Sequence, residues 1–483
     1  MPSFKRLGVV ASAAVAVVLV AGVAGGAQDQ AGAALGSIDA RTDHYADVAR
    51  RIWELAEVGY QEEQSSKLLQ SELSSAGFTV EAGVAGMPTG FVANYGSGEP
   101  VIGILAEFDA LPGITQDDSP ERNPQDHMEA GHACGHHLFG TGSVAAAIAV
   151  KDWFDATGAA GTIRLYGTPA EEGGAGKVYM VRAGLFDDVD AVLHWHASDR
   201  NDASPGASLA NKSAKFRFTG VSSHAAAAPE RGRSALDAVE AMNHMVNLMR
   251  EHVPEDTRIH YVITSGGSAP NVVPDFAEVY YYVRHPEPDA VAELFERVVK
   301  TAEGAALGTG TAVDYEVIHG IYALLPNEAL AGVMDRNLRQ TGGVTYTAEE
   351  RRFAEIIRGT LPDDAQPIES ASEIAPFAIK EAGGSTDVGD VSWVVPTTGL
   401  RTATWVPGTS SHSWQAVAAG GTSIGTKGMM VAAKTLAKTA IDLFTDPQLL
   451  AAATAEYREQ VGPNFVYEPL LGDRSPPLDY RRK

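Results

Sequence analysis

The sequence predicts an α/β fold in which a domain with a mixed, mostly parallel sheet is interrupted by an inserted ferredoxin-like (βαββαβ) domain. Three observations support this fold class. The chain has 483 residues, more than the roughly 250–300 at which a single hydrophobic core stops growing. Strand patterns alternate with helical patterns through its first part. Residues 207–322 then follow a β-α-β-β-α-β order.

The first part of the larger domain is predicted over residues 38–206. Apolar residues recur at helical spacing through residues 39–78. Further on, strands are predicted at 91–95, 101–108, 162–168 and 191–195, with an alanine-rich helix at 138–154. Because parallel strands are joined by helical crossovers, this alternation predicts a mostly parallel sheet.

The inserted domain is predicted over residues 207–322, with strands at 213–219, 258–264, 277–283 and 312–318 and helices at 234–252 and 290–307. Helical spacing and Gly/Pro-rich loops then return the chain to the larger domain over residues 323–446. That part ends in an alanine-rich helix at 427–443. Residues 447–483 contain proline and arginine without a clear period, and we expect a surface tail there.

The charge balance excludes one class of function. The chain has 37 Lys+Arg against 61 Asp+Glu, so its formal net charge is −24. Non-specific binding to nucleic acid requires clustered basic residues, and we therefore expect no nucleic-acid partner. The only cysteine, Cys134, cannot form an intramolecular disulfide.

Residues 1–27 have the three parts of a secretory signal peptide. Lys5 and Arg6 precede an apolar run that ends in the small residues Gly25 and Ala27. We expect export, to the periplasm or out of the cell, after cleavage following Ala27. An uncleaved membrane anchor is the alternative, because the run has about the ~20 residues that a span requires. No second apolar run of that length occurs, so we expect no stable membrane span in the mature protein.

Metal-binding side chains are concentrated in residues 129–140, which read EAGHACGHHLFG. The only cysteine and four of the chain's 14 histidines lie in or next to this stretch. A lone cysteine or histidine is more often a packed side chain, but packing does not explain the clustering. Thiolate and imidazole are preferred ligands of Zn²⁺ and similar ions. Cys134 and His136, separated by one glycine, therefore predict a metal site in a loop before a helix.

Carboxylates and further histidines follow two other predicted strands. Glu171 and Glu172 lead from a strand into a Gly-rich turn. Such a pair is often a solvated helix start. It also suits metal chemistry, in which one carboxylate binds an ion and its neighbour accepts a proton from water. His194 and His196 share one face at the end of the next strand, and His412 lies in a later loop.

These features together predict a two-metal hydrolase, because side chains at the carboxyl ends of parallel strands meet at one edge of the sheet. The chain lacks a Walker loop and a GxSxG elbow. Phosphate binding is therefore not expected. A structural or transport protein that only binds metal is the alternative, although it leaves one member of the glutamate pair without a role.

Six segments resemble the aminoacylase/carboxypeptidase-G family of metallopeptidases, and within it the amidohydrolase branch. In chain order they read AEFDALPG, GHACGHHLFGT, GTPAEEGGAGK, GVSSHAAAAPERGRSALDA, STDVGDVSW and PGTSSHSWQ. The resemblance implies hydrolysis of the amide bond of N-acyl or N-aroyl amino acids, such as p-aminobenzoyl-glutamate. It also implies that the inserted domain is a lid and dimerisation domain.

The resemblance implies roles for individual residues. Two divalent ions, Mn²⁺ or Zn²⁺, would be held by Cys134, His136, Glu172, His196 and His412. Glu171 would be the general base, and His224 would stabilise the oxyanion in the other subunit of a dimer. Asn271 and Arg284 match lid positions that hold the substrate's carboxylate, for which an arginine fork is well suited. Asp109 would orient a metal ligand.

The implied partners are a small-molecule amide substrate with a free carboxylate and a second subunit, in a homodimer or in a heteromer with a paralogue. A partner subunit with little activity alone is the alternative function. Dipeptides, auxin conjugates and xenobiotic amides are alternative substrates. In one departure from the branch, His137 stands where Asp or Asn is usual, and we hypothesise that it changes the hydrogen bonding around a ligand or is itself an added ligand.

Overall fold

The computed structural model describes residues 30–482, and the predicted signal peptide lies outside them. The helices are α1 (residues 30–40), α2 (Thr42–Leu55), α3 (Glu63–Ser75), α4 (His136–Thr157), α5 (Gly176–Arg182), α6 (Ala235–Met249), α7 (Pro288–Thr309), α8 (Glu328–Thr341), α9 (Ala348–Arg358), α10 (Val388–Ser392), α11 (Trp414–Gly420), α12 (Ser423–Thr445) and α13 (Pro447–Val461). The strands are β1 (Thr79–Ala82), β2 (Phe91–Ser97), β3 (Val101–Ala106), β4 (Leu111–Pro112), β5 (Ala130–Gly131), β6 (Gly161–Gly167), β7 (Ala191–Ser198), β8 (Gly206–Ser208), β9 (Ala210–Thr219), β10 (Arg258–Ser265), β11 (Phe276–His285), β12 (Ala312–Ile321), β13 (Lys380–Gly383) and β14 (Thr397–Ala403).

The larger domain, called the catalytic domain below, is built on a six-stranded sheet with the order β1-β2-β6-β3-β7-β14. Strands β6, β3, β7 and β14 are parallel neighbours, whereas β1 and β2 pair antiparallel. The predicted mixed, mostly parallel sheet is confirmed. All residues of β3 are buried, as is usual for a parallel strand covered on both faces.

The alanine-rich helices α4 and α12 pack against each other and against this sheet. Helix α4 is buried on all sides over residues 136–150, which explains why its sequence is apolar without a polar face. The packing holds the first turn of α4 against the carboxyl edge of the sheet. The Cys134–His136 segment therefore lies where the ends of β3, β6 and β7 meet.

The inserted domain, called the lid below, has a four-stranded sheet with the order β10-β11-β9-β12. All its neighbours pair antiparallel. Helices α6 and α7 pack on this sheet around a core of its own, which includes Phe216, Tyr281 and Phe295. The order β9-α6-β10-β11-α7-β12 confirms the predicted ferredoxin-like arrangement.

The C-terminal part differs from the expected surface tail. Residues 447–461 form helix α13, and the chain beyond it packs on both domains. Leu470 and Leu471 are buried, and the Tyr467 hydroxyl donates a hydrogen bond to Asp390 at 2.6 Å. This segment is fixed by isolated side chains and backbone carbonyls, which leave no period in the sequence. Within residues 30–482, no helix combines the length and the apolarity that crossing a membrane requires.

Candidate active site

The candidate site lies at the carboxyl edge of the parallel strands, in a cavity of about 940 Å³ between the catalytic domain and the lid. Strand β3 leads into Glu107 and Asp109, β6 leads into Glu171 and Glu172, and β7 contains His196. The turn before α4 contributes Cys134. Clustering at this edge is expected because parallel strands all present their carboxyl ends on the same side.

His136 is held in one orientation by a buried carboxylate. Its Nδ1 lies 2.9 Å from an oxygen of Asp109, and both side chains are fully buried. The second oxygen of Asp109 accepts a hydrogen bond from the Glu172 backbone N–H at 2.9 Å. A carboxylate behind a histidine fixes its tautomer and leaves the other ring nitrogen free as a ligand. The predicted orienting role of Asp109 agrees with this geometry and remains a proposal.

Three overlapping groups of donor atoms are close enough to share a metal ion. The atoms within each group lie within 4.8 Å of one another, and the groups are Cys134–His136–His196, Cys134–Glu172–His412 and Glu107–His136–Glu171. Cys134 Sγ lies 3.4 Å from His196 Nε2, and His412 Nε2 lies 3.2 Å from Glu172 Oε1. All six residues predicted for the metals and the general base are thus brought together.

The chemistry of these donors fits divalent metal ions. His136 Nε2 and Glu172 Oε1 are buried and form no hydrogen bond among the described residues, although Glu107 and His412 lie 3.1 and 3.2 Å from them. Burial and the charge of Glu172 raise the pKa of the Cys134 thiol above its usual range. A coordinated cation would favour the thiolate of Cys134 and would give His136 Nε2 and Glu172 Oε1 a partner.

Two backbone features explain why the ligands lie so close. Gly135, between two candidate ligands, has φ +79°, and a Cβ there would lie 2.4 Å from the Cβ of Ala197. Only glycine permits this approach of the α4 turn to β7. His412 also has a positive φ of 59°, and its backbone N–H donates to the Ala133 carbonyl at 2.9 Å. This bond fixes the half-exposed His412 above Cys134.

A buried ion cluster that sequence reasoning missed lies behind the ligands. Lys177 Nζ is 2.7 Å from Glu107 and 2.7 Å from Asp387, and all three side chains are buried. The other oxygen of Glu107 lies 3.1 Å from His136 Nε2. The three residues occur in the segments AEFDALPG, GTPAEEGGAGK and STDVGDVSW, but no local spacing shows that positions so far apart pair with one another.

His137 belongs to none of the three donor groups, which favours the hypothesis that it changes hydrogen bonding near a ligand over the hypothesis that it is an added ligand. Its ring Nε2 lies 3.0 Å from the Gly420 carbonyl oxygen, and the ring packs against His132 at 4.8 Å between centroids. Adjacent residues of a helix point about 100° apart, so His137 faces away from His136. His194 lines the cavity but belongs to none of the three donor groups.

The predicted lid residues separate into two places. Arg284 lines the cavity together with Tyr282, and its guanidinium lies over that ring at 5.4 Å. His224 and Asn271 lie side by side in neighbouring lid loops, where Ala225 N donates to the Asn271 carbonyl at 3.0 Å. Neither lines the cavity of its own chain. The structure therefore does not bring Asn271 to the carboxylate site in the same protomer.

The fold and the donor set define a metal-dependent hydrolase of the M20 peptidase type. Residues 210–309, which form most of the lid, match the peptidase dimerisation domain of that family. The three donor groups could each hold a divalent metal ion.

The relatives identify the family of the whole chain. The chain is 42% identical over 450 residues to one of the subunits of p-aminobenzoyl-glutamate hydrolase from Escherichia coli (strain K12), covering 88% of this chain and 94% of that protein. It is 30% identical over 437 residues to the Xaa-Arg dipeptidase of Mus musculus, covering 87% of this chain and 90% of that protein. An aminobenzoyl-glutamate utilization protein from Klebsiella pneumoniae has the same fold, with a TM-score of 0.59 at 19% identity over 84% of this chain and 97% of that chain. The chain belongs to the M20 family and is a hydrolytic enzyme, which confirms the resemblance.

The first prediction concerns the cysteine. We expect Cys134→Ser to bind fewer divalent ions per chain, because a neutral hydroxyl replaces a thiolate ligand. Elemental analysis of metal-loaded, desalted protein measures this ratio. His137→Asn is the matched control, since its amide keeps a donor for the Gly420 carbonyl and its metal content should be unchanged. Full metal content in Cys134→Ser would exclude the thiol as a ligand.

The second prediction concerns the buried cluster. We expect Lys177→Met to lower the free energy of unfolding by about 3–5 kcal/mol, because it leaves two buried carboxylates without their cation. Denaturant unfolding of the chelator-treated protein measures the loss without a contribution from bound metal. Lys434→Met removes a more exposed ion pair, with Asp39 at 2.9 Å, and should cost at most about 1 kcal/mol. Equal losses in the two variants would contradict the prediction.

Proposed function

We propose that the protein hydrolyses the amide bond of N-acyl or N-aroyl amino acids and acts on p-aminobenzoyl-glutamate-like substrates. One observation carries the proposal: the cavity lined by most of the metal-ligand set is also lined by the additional carboxylate of Glu171 and by Arg284. Arg284 Nε is buried and has no hydrogen-bond partner among the described residues, so its fork is available for the carboxylate of a substrate. The name of the Escherichia coli relative supports the substrate class.

Glu171 is the residue that we propose moves the proton. Burial and the neighbouring carboxylates Glu107 and Glu172 raise its pKa well above the usual range. Bound divalent ions would polarise the amide carbonyl and make a water molecule easier to deprotonate. Glu171 accepts the proton from that water as the water oxygen bonds to the amide carbon, and it donates the proton to the amide nitrogen as the C–N bond breaks. Bound cations would favour the ionised form of Glu171 that accepts the proton, opposing the burial that favours its protonated form.

We propose two divalent ions, Mn²⁺ or Zn²⁺, as the cofactors. The donors comprise one thiol, several imidazoles and carboxylates, a mixture that borderline ions accept. Cys134 belongs to two of the three donor groups and His136 also belongs to two. Shared donors of this kind support a site that holds more than one ion.

The third prediction tests the general base. We expect Glu171→Gln to lower kcat for p-aminobenzoyl-glutamate by about 10²–10⁴-fold, because an amide cannot accept the proton. Its metal content should be unchanged, and chromatography of the released p-aminobenzoate measures the rate. Glu381→Gln is the control, since Glu381 lies exposed on the cavity wall. A wild-type protein that binds metal and releases no amine from N-acyl or N-aroyl amino acids would contradict the proposed function.

We propose that the site is completed by a second copy or a paralogous chain through the lid, in a homodimer or in a heteromer. Strand β10 is an edge of the lid sheet and exposes Tyr261, Val262 and Ile263, with Val262 56% exposed. An exposed apolar edge strand favours pairing with another chain. His224 and Asn271 lie outside the cavity of their own protomer, which supports their use in a neighbouring one. The name of the Escherichia coli relative, which describes it as one subunit of a hydrolase, supports the heteromer.

The fourth prediction tests this interface. We expect Val262→Lys to weaken association, because it places a charge on the apolar edge. Light scattering after gel filtration measures the mass, and kcat should fall together with the dimer fraction. Leu307→Lys is the control, since Leu307 is 87% exposed on α7, away from the edge strand. A fully active monomer would contradict the requirement for a second chain. Activity that appears only after mixing with a paralogous chain would identify the heteromer.

We propose that the protein is exported and that its mature chain begins at Gln28, on the support of the N-terminal sequence pattern. The fifth prediction is that mass spectrometry of protein from the periplasm or medium finds an N-terminal peptide starting at Gln28. Lys5→Glu combined with Arg6→Glu should reduce export, because the basic head is lost. An intact chain in the membrane fraction would instead identify an anchor.

A further inference from the structure

The C-terminal segment, residues 463–482, runs from the base of the lid to the active-site cavity. Near its middle, Arg474 donates to the Ile318 carbonyl at 2.9 Å and to the Val317 carbonyl, both in lid strand β12. On the catalytic domain, Arg182 donates to the Gly472 carbonyl at 2.9 Å. The segment therefore contacts both domains before it reaches the site.

The last described residues of the segment bind the backbone of a candidate metal ligand. The Tyr480 hydroxyl donates to the Glu172 carbonyl at 3.1 Å, and Arg481 Nη2 donates to the same carbonyl at 2.6 Å. The Tyr480 ring packs edge-on against Tyr60 with 5.7 Å between centroids. Any Cβ at Gly59 would lie 2.3 Å from the Tyr480 hydroxyl. The catalytic domain thus has a closely fitted seat for Tyr480, which positions Arg481.

Arg481 lines the cavity and has unused hydrogen-bonding capacity. Its Nε is buried and has no hydrogen-bond partner among residues 30–482, and no described carboxylate forms an ion pair with it. Two other cations of the cavity wall are paired, Arg200 with Asp199 at 2.8 Å and Lys380 with Asp202 at 3.4 Å. A guanidinium has five N–H donors, and one that is partly buried without a counter-ion favours an anion.

We propose that Arg481 is a substrate-binding residue that recognises a second negative charge on the substrate. This inference rests on the proposed function, in which Arg284 holds the carboxylate next to the scissile amide. Arg481 binds the carboxylate of an acidic side chain, so the preferred leaving group is an acidic amino acid rather than a neutral one. The C-terminal segment then determines substrate specificity, in addition to packing on the two domains.

The test compares two substrates that differ in that charge alone, p-aminobenzoyl-glutamate and p-aminobenzoyl-glutamine. We expect Arg481→Gln to lower kcat/KM for the glutamate compound by about 10–100-fold, mainly through KM, because a charge-assisted hydrogen bond is lost. The value for the glutamine compound should change less than about 3-fold, since it lacks the charge that Arg481 binds. Arg481→Lys keeps a positive charge and should recover part of the preference.

Arg482→Gln is the matched control because it removes the same charge from the next residue, which is exposed and bonds to Gln61 at 2.8 Å. It should leave both kcat/KM values unchanged. Equal losses on both substrates in Arg481→Gln, or no loss on either, would overturn the assignment. If Arg481→Gln does not fold, the kcat/KM values of Arg481→Lys for the two substrates are compared instead. A loss confined to the glutamate compound supports the assignment, and equal losses or no loss overturn it.

A binding measurement separates this inference from the proposed function. The dissociation constant of p-aminobenzoyl-glutamate is measured calorimetrically on metal-loaded Glu171→Gln, with and without Arg481→Gln. We expect the added substitution to weaken binding of the glutamate compound and to leave binding of the glutamine compound unchanged. Weaker binding of the glutamate compound alone supports the role of Arg481 in substrate binding, even if the wild-type protein hydrolyses neither compound. The absence of hydrolysis would contradict only the proposed function. Unchanged binding of both compounds would overturn the inference.

Discussion

The buried ammonium group of Lys177 is the constraint on which the catalytic site depends. It lies between the carboxylates of Glu107 and Asp387, with contacts of 2.7 Å to each. Removing separate charges from water costs several kcal/mol for each ion, so the three are stable only together. Glu107 follows β3, Lys177 lies in α5, and Asp387 precedes α10 on the far side of the lid in sequence. The cluster can therefore form only when both parts of the catalytic domain have come together.

The same cluster leads directly to the metal ligands. Glu107 contacts Lys177 with one oxygen and His136 with the other. On the opposite side of the His136 ring, Asp109 contacts the ring and accepts the backbone N–H of Glu172. A chain of charge-assisted contacts thus runs from Lys177 to the glutamate pair and fixes the ligands before any ion binds. Against the net charge of −24, the cavity wall includes Arg284 and Arg481, whose Nε atoms have no hydrogen-bond partner among the described residues.

Features with a local pattern were predictable from the sequence, and features that depend on distant pairing were not. Alternating strands and helices predicted the parallel sheet and the ferredoxin-like lid, since each element has its own period. Cys134, His136 and the glutamate pair were predictable because several metal-binding residue types occur in short segments. Lys177 and Asp387 carry no such signal, because the sequence alone does not distinguish a lysine and an aspartate that form a buried ion pair from two that are exposed to solvent. The two roles left open for His137 could not be separated for a related reason, because a histidine beside a ligand gives no indication of the face on which it lies.

The C-terminal segment shows how a stretch without a period acquires a defined position. Its contacts with the lid involve Arg474 and residues 316–318 of β12, close to the point where the chain leaves the lid. A rotation of the lid about that crossover would move these contacts little, because they lie near the axis. The contacts of Tyr480 and Arg481 are made with the catalytic domain itself. Movement of the lid would therefore change the distance between Arg284 and the metal ligands, whereas Arg481 would keep its hydrogen bond to Glu172. One arginine would belong to the fixed wall of the cavity and the other to the moving wall, so a substrate with two carboxylates would bind both and favour closure.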